Sequence, residues 1–156
     1  MPGIKIVYVT RTGHARALAE SIASLSGGDV AEIGDPSNRK GIFGFLKSGG
    51  QASKGSGAPF VDPHVDLAGA SAVALVQPLW ASSVCPPLRS WIKAHKAELK
   101  GKKIGLFVTA RASPGEPIRA KFEAKFGPLA AFALVREKDD EASRSRAIEG
   151  FVAALN

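Results

Sequence analysis

The chain of 156 residues is about the length of one domain, and 45% apolar with 22% charged residues is typical of a globular rather than a disordered protein. Its single Cys excludes an internal disulfide and a cysteine-based zinc cage, and three scattered His show no metal-ligand spacing. The formal net charge of +7 favours anionic partners, but the basic residues are scattered and no aromatic residues are interleaved with them, so we expect no nucleic-acid site.

No apolar run approaches the roughly 20 residues that a membrane span needs. The first residues, Met-Pro-Gly-Ile-Lys-Ile-Val, lead directly into a strand-like segment without a basic region or a cleavage site. We therefore expect a cytoplasmic protein with no membrane span.

Short apolar runs alternate with helical patterns along the chain. Nearly continuous runs predict buried strands at residues 4–9, 72–76, 104–108 and 130–135, and a weaker run at 29–33 predicts an edge strand. Apolar residues at helical spacing follow at 15–23, 88–99, 118–126 and 148–155. This order predicts an α/β doubly wound parallel sheet with helices on both faces. Residues 34–66 form a long variable connection, and we expect one domain over 1–156.

Ligands of such sheets bind beyond the carboxyl ends of the strands, where the strand order reverses. After the first strand, two hydroxyls, an Arg and a Gly lead into a helix, in the sequence Thr10-Arg11-Thr12-Gly13-His14-Ala15. Unpaired N–H groups at a helix N-terminus favour an anion, so this loop predicts a phosphate site. The alternative is an ordinary helix with Thr12 as its N-cap. His14 either assists the anion or faces solvent.

Two further loops complete this edge of the predicted sheet. Trp80, framed by Pro and small residues, is placed to offer a flat apolar face to a ring, whereas Trp91 belongs to an apolar helical stripe and is predicted to lie in the core. The third loop is small and polar around Arg111. We expect His95 to be a partly buried core residue and Cys85 to be an inert thiol.

Three segments together resemble the flavodoxin family. Residues 7–14 (Val-Tyr-Val-Thr-Arg-Thr-Gly-His) resemble the family's first strand and phosphate loop. Residues 78–81 (Pro-Leu-Trp-Ala) resemble the loop that flanks the flavin ring. Residues 99–109 (Leu-Lys-Gly-Lys-Lys-Ile-Gly-Leu-Phe-Val-Thr) resemble a strand of the family with the pattern Leu-x-Gly-Lys-x-x-x-x-Phe-x-Thr. The likeness covers essentially the whole chain, with the three segments in the family's order.

The resemblance implies a flavodoxin-like three-layer fold with strand order 2-1-3-4-5 and FMN as cofactor. It places the phosphate on Thr10, Arg11, Thr12, Gly13, His14 and Ala15. It places the isoalloxazine between two loops, the first with Pro78, Leu79, Trp80 and Ala81 and the second with Thr109, Ala110 and Arg111. It points to no catalytic residue in the protein.

The chain departs from the family's pattern at three points. Ala15 replaces the usual hydroxyl residue, Gln77 stands where Gly is frequent and would crowd the ring or bond its edge, and the third loop lacks the aromatic residue that covers one flavin face. The resemblance therefore implies an FMN-binding electron-transfer protein, with two alternatives: an FMN-dependent reductase of a quinone or another small acceptor, and an interaction domain without cofactor. The basic surface differs from the acidic one usual in the family, so we expect a different partner, either an acidic redox protein or a small acceptor.

Overall fold

Parallel strands and helices alternate in the computed structural model, which describes residues 3–9, 13–34, 62–63, 65–79, 84–111 and 116–156. The elements, in chain order, are β1 (Gly3–Tyr8), α1 (His14–Ser26), β2 (Asp29–Glu32), β3 (Ala70–Pro78), α2 (Pro86–Ala94), α3 (Lys96–Leu99), β4 (Lys103–Ala110), α4 (Glu116–Phe126), β5 (Ala131–Arg136) and α5 (Glu141–Leu155).

The five strands form one parallel sheet in the order β2-β1-β3-β4-β5. This confirms the predicted doubly wound α/β fold and its strand order. Strand β2 lies at an edge of the sheet, as its charged composition predicted. The chain reverses direction across the sheet between β1 and β3, and this reversal point is where such sheets place their ligands.

The strands β1, β3, β4 and β5 each contribute side chains to two separate hydrophobic clusters, because successive residues point to opposite faces. Ile6 of β1 packs with α1 and α5 on one face, and Val7 packs with α2 and α4 on the other. Trp91 of α2 is completely buried in the second cluster, which confirms its prediction as a core residue. The core therefore lies in two layers, one on each side of the sheet.

The predicted helix over 88–99 is wrong in one respect, because the structure has two helices there. The first ends at Ala94, and His95 has φ −108° and ψ 18°, outside the helical range, before the short α3 begins. The helical spacing of apolar residues continues through the break, and Leu99 in α3 is still buried in the core. The His95 ring is bonded to Asp62 and Glu98, which holds it at the joint between the two helices.

Most of the long connection, residues 35–61 and 64, lies outside the described residues, so its predicted extent within a single domain stays a prediction. Its described end returns to the sheet through Leu67, which is buried on the α2 face. In the part of the chain that the structure describes, no helix is both long and apolar enough for a membrane span.

Candidate functional site

The carboxyl ends of the strands β1, β3, β4 and β5 lie side by side at one end of the sheet, which we call the carboxyl edge. Tyr8 pairs with Val76, Pro78 with Thr109, and Ala110 with Arg136. The pairing extends past the strands, because Leu79 N–H donates to Thr109 O at 2.9 Å and Glu137 N–H donates to Ala110 O at 3.0 Å. The loops that follow β1, β3 and β4 therefore begin next to one another.

The N-terminus of α1 opens onto this edge. Its N-cap is Gly13, with φ 93°, and not Thr12 as in the alternative considered above. A positive φ of this size is strained for residues with a Cβ, which explains why glycine suits the position. The first turn contains no acidic residue, and the Gly13 position provides no side-chain cap. The positive end of the helix dipole is therefore not neutralised by a carboxylate within its own first turn.

Arg16, in the first turn of α1, forms hydrogen bonds with side chains of β1 and β2. Its guanidinium donates to the Tyr8 hydroxyl and to a Glu32 carboxylate oxygen, each at 3.0 Å, and the Tyr8 hydroxyl lies 3.2 Å from the same oxygen. Burial raises the pKa of Tyr8, and the hydrogen bond to Tyr8 raises the pKa of Arg16. This network was not predicted from the sequence, because nothing in the local pattern links the ends of β1 and β2 to a helix residue.

Glu137, the first residue after β5, lies between two of the predicted site residues. One carboxylate oxygen is 3.4 Å from His14 Nδ1, and the other is 4.0 Å from Arg111 Nε. The His14 side chain is about half exposed, and that of Arg111 is largely exposed. A cavity of about 350 Å³ adjoins this group, lined by His14, Leu18, Ser21, Thr109, Glu137 and Arg144 among others. Glu137 is a second residue that sequence reasoning missed.

Gln77 links the described residues on the two sides of the segment that follows β3. Its fully buried amide accepts a hydrogen bond from Cys85 N–H at 2.8 Å and donates one to Pro78 O at 2.9 Å. The Cys85 thiol contacts the same carbonyl oxygen at 3.2 Å. The expectation that Gln77 crowds a ring or bonds its edge stays a prediction; among the described residues, its amide joins Pro78 to Cys85. Cys85 is fully buried, as expected of an inert thiol.

No protein-family model matches the chain, and no curated protein matches it in sequence. Solved structures do match in three dimensions. A flavoprotein in complex with FMN from Lactobacillus acidophilus has a TM-score of 0.66 and 14% identity, covering 86% of this chain and 93% of that one. The two-electron reduced flavodoxin of Megasphaera elsdenii has a TM-score of 0.62 and 18% identity, covering 98% and 99%. A flavodoxin, WrbA-like protein from Agrobacterium tumefaciens has a TM-score of 0.64 and 13% identity, covering 99% and 98%.

The chain has a flavodoxin-like fold. On this flavodoxin-like sheet, the predicted site residues that the structure describes lie at the carboxyl edge or at the adjoining start of α1: Gly13, His14, Ala15, Pro78, Leu79, Thr109, Ala110 and Arg111. The other predicted site residues, Thr10, Arg11, Thr12, Trp80 and Ala81, lie outside the described residues. Within the described ranges, no group of three potential ligands could hold a metal ion.

Proposed function

We propose that this chain binds FMN at the carboxyl edge of its sheet and acts as a redox protein. The observation that carries the proposal is the N-terminus of α1, which starts at a left-handed Gly13 beside the reversal point and has no acidic residue in its first turn. Such a terminus favours a phosphate group. The structural similarity to a flavoprotein in complex with FMN supports the same cofactor.

The described residues fit an anionic flavin in two ways. Ala15 has no side-chain hydroxyl, and its methyl group is buried in the core. It would therefore bind a phosphate through its main-chain N–H alone. Two cationic or potentially cationic side chains, His14 and Arg111, border the edge. When bound, the flavin itself supplies the redox chemistry, and the protein supplies binding, orientation and electrostatics.

The residues that would hold the cofactor are those expected from the sequence. The segment from Thr10 to Ala15 would bind the phosphate through main-chain N–H groups and hydroxyls, and the segments 78–81 and 109–111 would border the ring. Gln77 and Cys85 would act as positioning residues, because they hold the ends of the second loop together. The net charge of +7 supports an acidic redox partner or an anionic small acceptor.

Titration with FMN and with riboflavin, which lacks the phosphate, tests the proposal in wild type and in His14→Asp and His14→Asn. Asp at the first helical position interacts favourably with the helix dipole but also lies near the Glu137 carboxylate, so circular dichroism checks that both variants remain folded. The same charge next to a phosphate should weaken FMN binding by about tenfold to a hundredfold. His14→Asn, the neutral control, should bind FMN within about threefold of wild type, since it adds no charge to the site.

Riboflavin distinguishes the phosphate site from a general loss of binding. Its affinity should be the same in His14→Asp and His14→Asn, because it carries no charge for Asp to repel. Visible absorbance bands of FMN that stay the same when wild-type protein is added would refute cofactor binding. Equal losses of FMN and riboflavin binding in His14→Asp would place the phosphate elsewhere.

A further inference from the structure

A second concave surface lies on the α2 face, away from the carboxyl edge. It is a groove of about 890 Å³ between the α2–α3 pair on one side and α4 on the other. Its floor includes Leu75 and Ile104 of the sheet, and its walls include Ile92 and Phe126. Ile104 is the second residue of β4, and Pro128, which precedes β5, also lines the groove. The groove therefore lies toward the amino-terminal ends of β4 and β5.

Lysines stand on both sides of this apolar groove. Lys93, Lys96 and Lys100 line the wall formed by α2, α3 and the following turn, and Lys125 lines the wall formed by α4. All four are exposed, and none of them has an ion-pair partner among the described residues. No acidic residue is found among the described residues that line the groove. The surface thus combines an apolar floor with unpaired positive charge on two opposite sides.

We propose that this groove binds an amphipathic helix of a partner protein, whose apolar stripe is flanked on both sides by Asp or Glu. A helix of this kind places apolar side chains at positions i, i+3, i+4 and i+7 into an apolar groove, which is a recurring mode of recognition. Carboxylates on both flanks of the stripe would then meet the ammonium groups on both walls.

Charge complementarity selects this occupant over three others. A second copy of the chain carries a net charge of +7, so its approach to a basic groove is unfavourable. An acyl chain with one carboxylate would leave most of the four ammonium groups without a counter-charge. Nucleic acid offers a charged backbone but no apolar stripe for the floor. The inference does not rest on FMN binding, because the groove and the carboxyl edge lie toward opposite ends of β4.

A labelled synthetic peptide tests the proposal directly. The peptide is a helix of about 18 residues with Leu at helical spacing and Glu on both flanks, and a control peptide has the same composition in scrambled order. Binding is measured by fluorescence anisotropy at low and at high salt. We expect the amphipathic peptide to bind, the scrambled peptide to bind at least about tenfold more weakly, and the affinity to fall with salt.

Two double variants with the same net charge locate the binding. Lys96→Glu with Lys125→Glu reverses one charge on each wall of the groove, whereas Lys121→Glu with Lys138→Glu reverses two exposed charges outside it. The first should lower the affinity for the peptide at least about tenfold more than the second, because the long-range effect of net charge is common to both. Circular dichroism checks that both variants remain folded.

Specific results would overturn the proposal. Equal peptide affinity in the two double variants would place the binding outside the groove, and equal affinity for the scrambled peptide would remove the amphipathic helix as occupant. Binding of dodecanoate in a chain that does not bind the peptide would make the groove a site for an acyl anion. A concentration-dependent dimer that Ala97→Arg abolishes would make a second copy the occupant.

Discussion

At the scale of single residues, the loop after β3 depends on one buried amide. Gln77 is fully buried, and its two polar atoms bond the Cys85 N–H and the Pro78 carbonyl at the two ends of that loop. A polar side chain is costly to bury unless such bonds are formed. Its place at the carboxyl end of a central strand is therefore explained by the loop that it closes.

Replacing Gln77 by Leu keeps the approximate size of the side chain and removes both bonds. The buried Cys85 N–H then loses its acceptor, and we expect the free energy of unfolding to fall by about 1–3 kcal/mol. Urea denaturation measures it, with Ser71→Ala as the control. Ser71 is exposed, and its hydroxyl donates one long hydrogen bond of 3.4 Å to Gly3 O. Ser71→Ala should therefore lower the free energy of unfolding by less than about 0.5 kcal/mol. A Gln77→Leu protein as stable as the control would show that the amide does not hold the loop.

At the scale of elements, α5 packs closely against β4 because Gly105 of β4 has no side chain. A Cβ at Gly105 would lie 2.7 Å from Phe151 Cζ and 3.1 Å from Leu155 Cδ1. These distances are shorter than ordinary van der Waals contact. The glycine therefore allows the aromatic ring of Phe151, which also packs edge-on against Phe107, to reach the sheet.

Gly105→Ala and Gly150→Ala form a matched pair that tests this packing. We expect Gly105→Ala to lower the free energy of unfolding by about 1–3 kcal/mol, because Phe151 must move to admit the methyl group. Gly150 lies in α5, and a Cβ added there would meet no atom within 4 Å, so Gly150→Ala should raise it by up to about 1 kcal/mol through helix propensity. Thermal or urea denaturation of both variants gives the comparison, and a shift of the same sign in the two would contradict it.

The joint between α2 and α3 is a second feature at this scale. His95 Nε2 lies 2.6 Å from Asp62 and Nδ1 lies 2.7 Å from Glu98, so the end of the long connection is bonded to the helix pair. Burial lowers the pKa of His95, but the hydrogen bonds and charges of Glu98 and Asp62 outweigh it and raise the pKa overall. Lys93 and Lys96 are the nearest cationic residues along the chain. The folded state therefore binds the His95 proton more tightly than the unfolded chain does.

This shift gives a pH dependence with a definite sign. The contribution of His95 to stability is complete below its unfolded pKa of about 6.5 and is lost as the pH rises through the higher folded pKa. Urea denaturation of wild type and His95→Gln between about pH 5.5 and about pH 9 should give a stability difference that shrinks as the pH rises. A difference that stays constant over this range would mean that the imidazolium is not the form that Asp62 and Glu98 stabilise.

At the scale of the whole molecule, the fold was accessible from the sequence and the site only in part. Strands covered on both faces are continuous apolar runs, so local pattern alone predicted β1 at 4–9 and β4 at 104–108, within two residues of their observed ends. The break at His95 was not, because apolar spacing continues across it. The contacts of Gln77 with Cys85 and of Glu137 with His14 depend on how loops return to the sheet, which periodicity does not encode.

The net charge of +7 leads to a prediction for the whole molecule if FMN is the ligand. A positive protein attracts the phosphate dianion over a range of about 30 Å at 0.01 M salt but only about 3 Å at 1 M. The association rate of FMN, followed by flavin fluorescence in a stopped-flow instrument, should therefore fall as NaCl is added, whereas that of riboflavin should stay nearly constant. Glu137→Gln removes the carboxylate beside His14 and Arg111, so it should raise the FMN rate at low salt and match wild type at high salt. The same salt dependence for both flavins would show that the phosphate is not attracted by this charge.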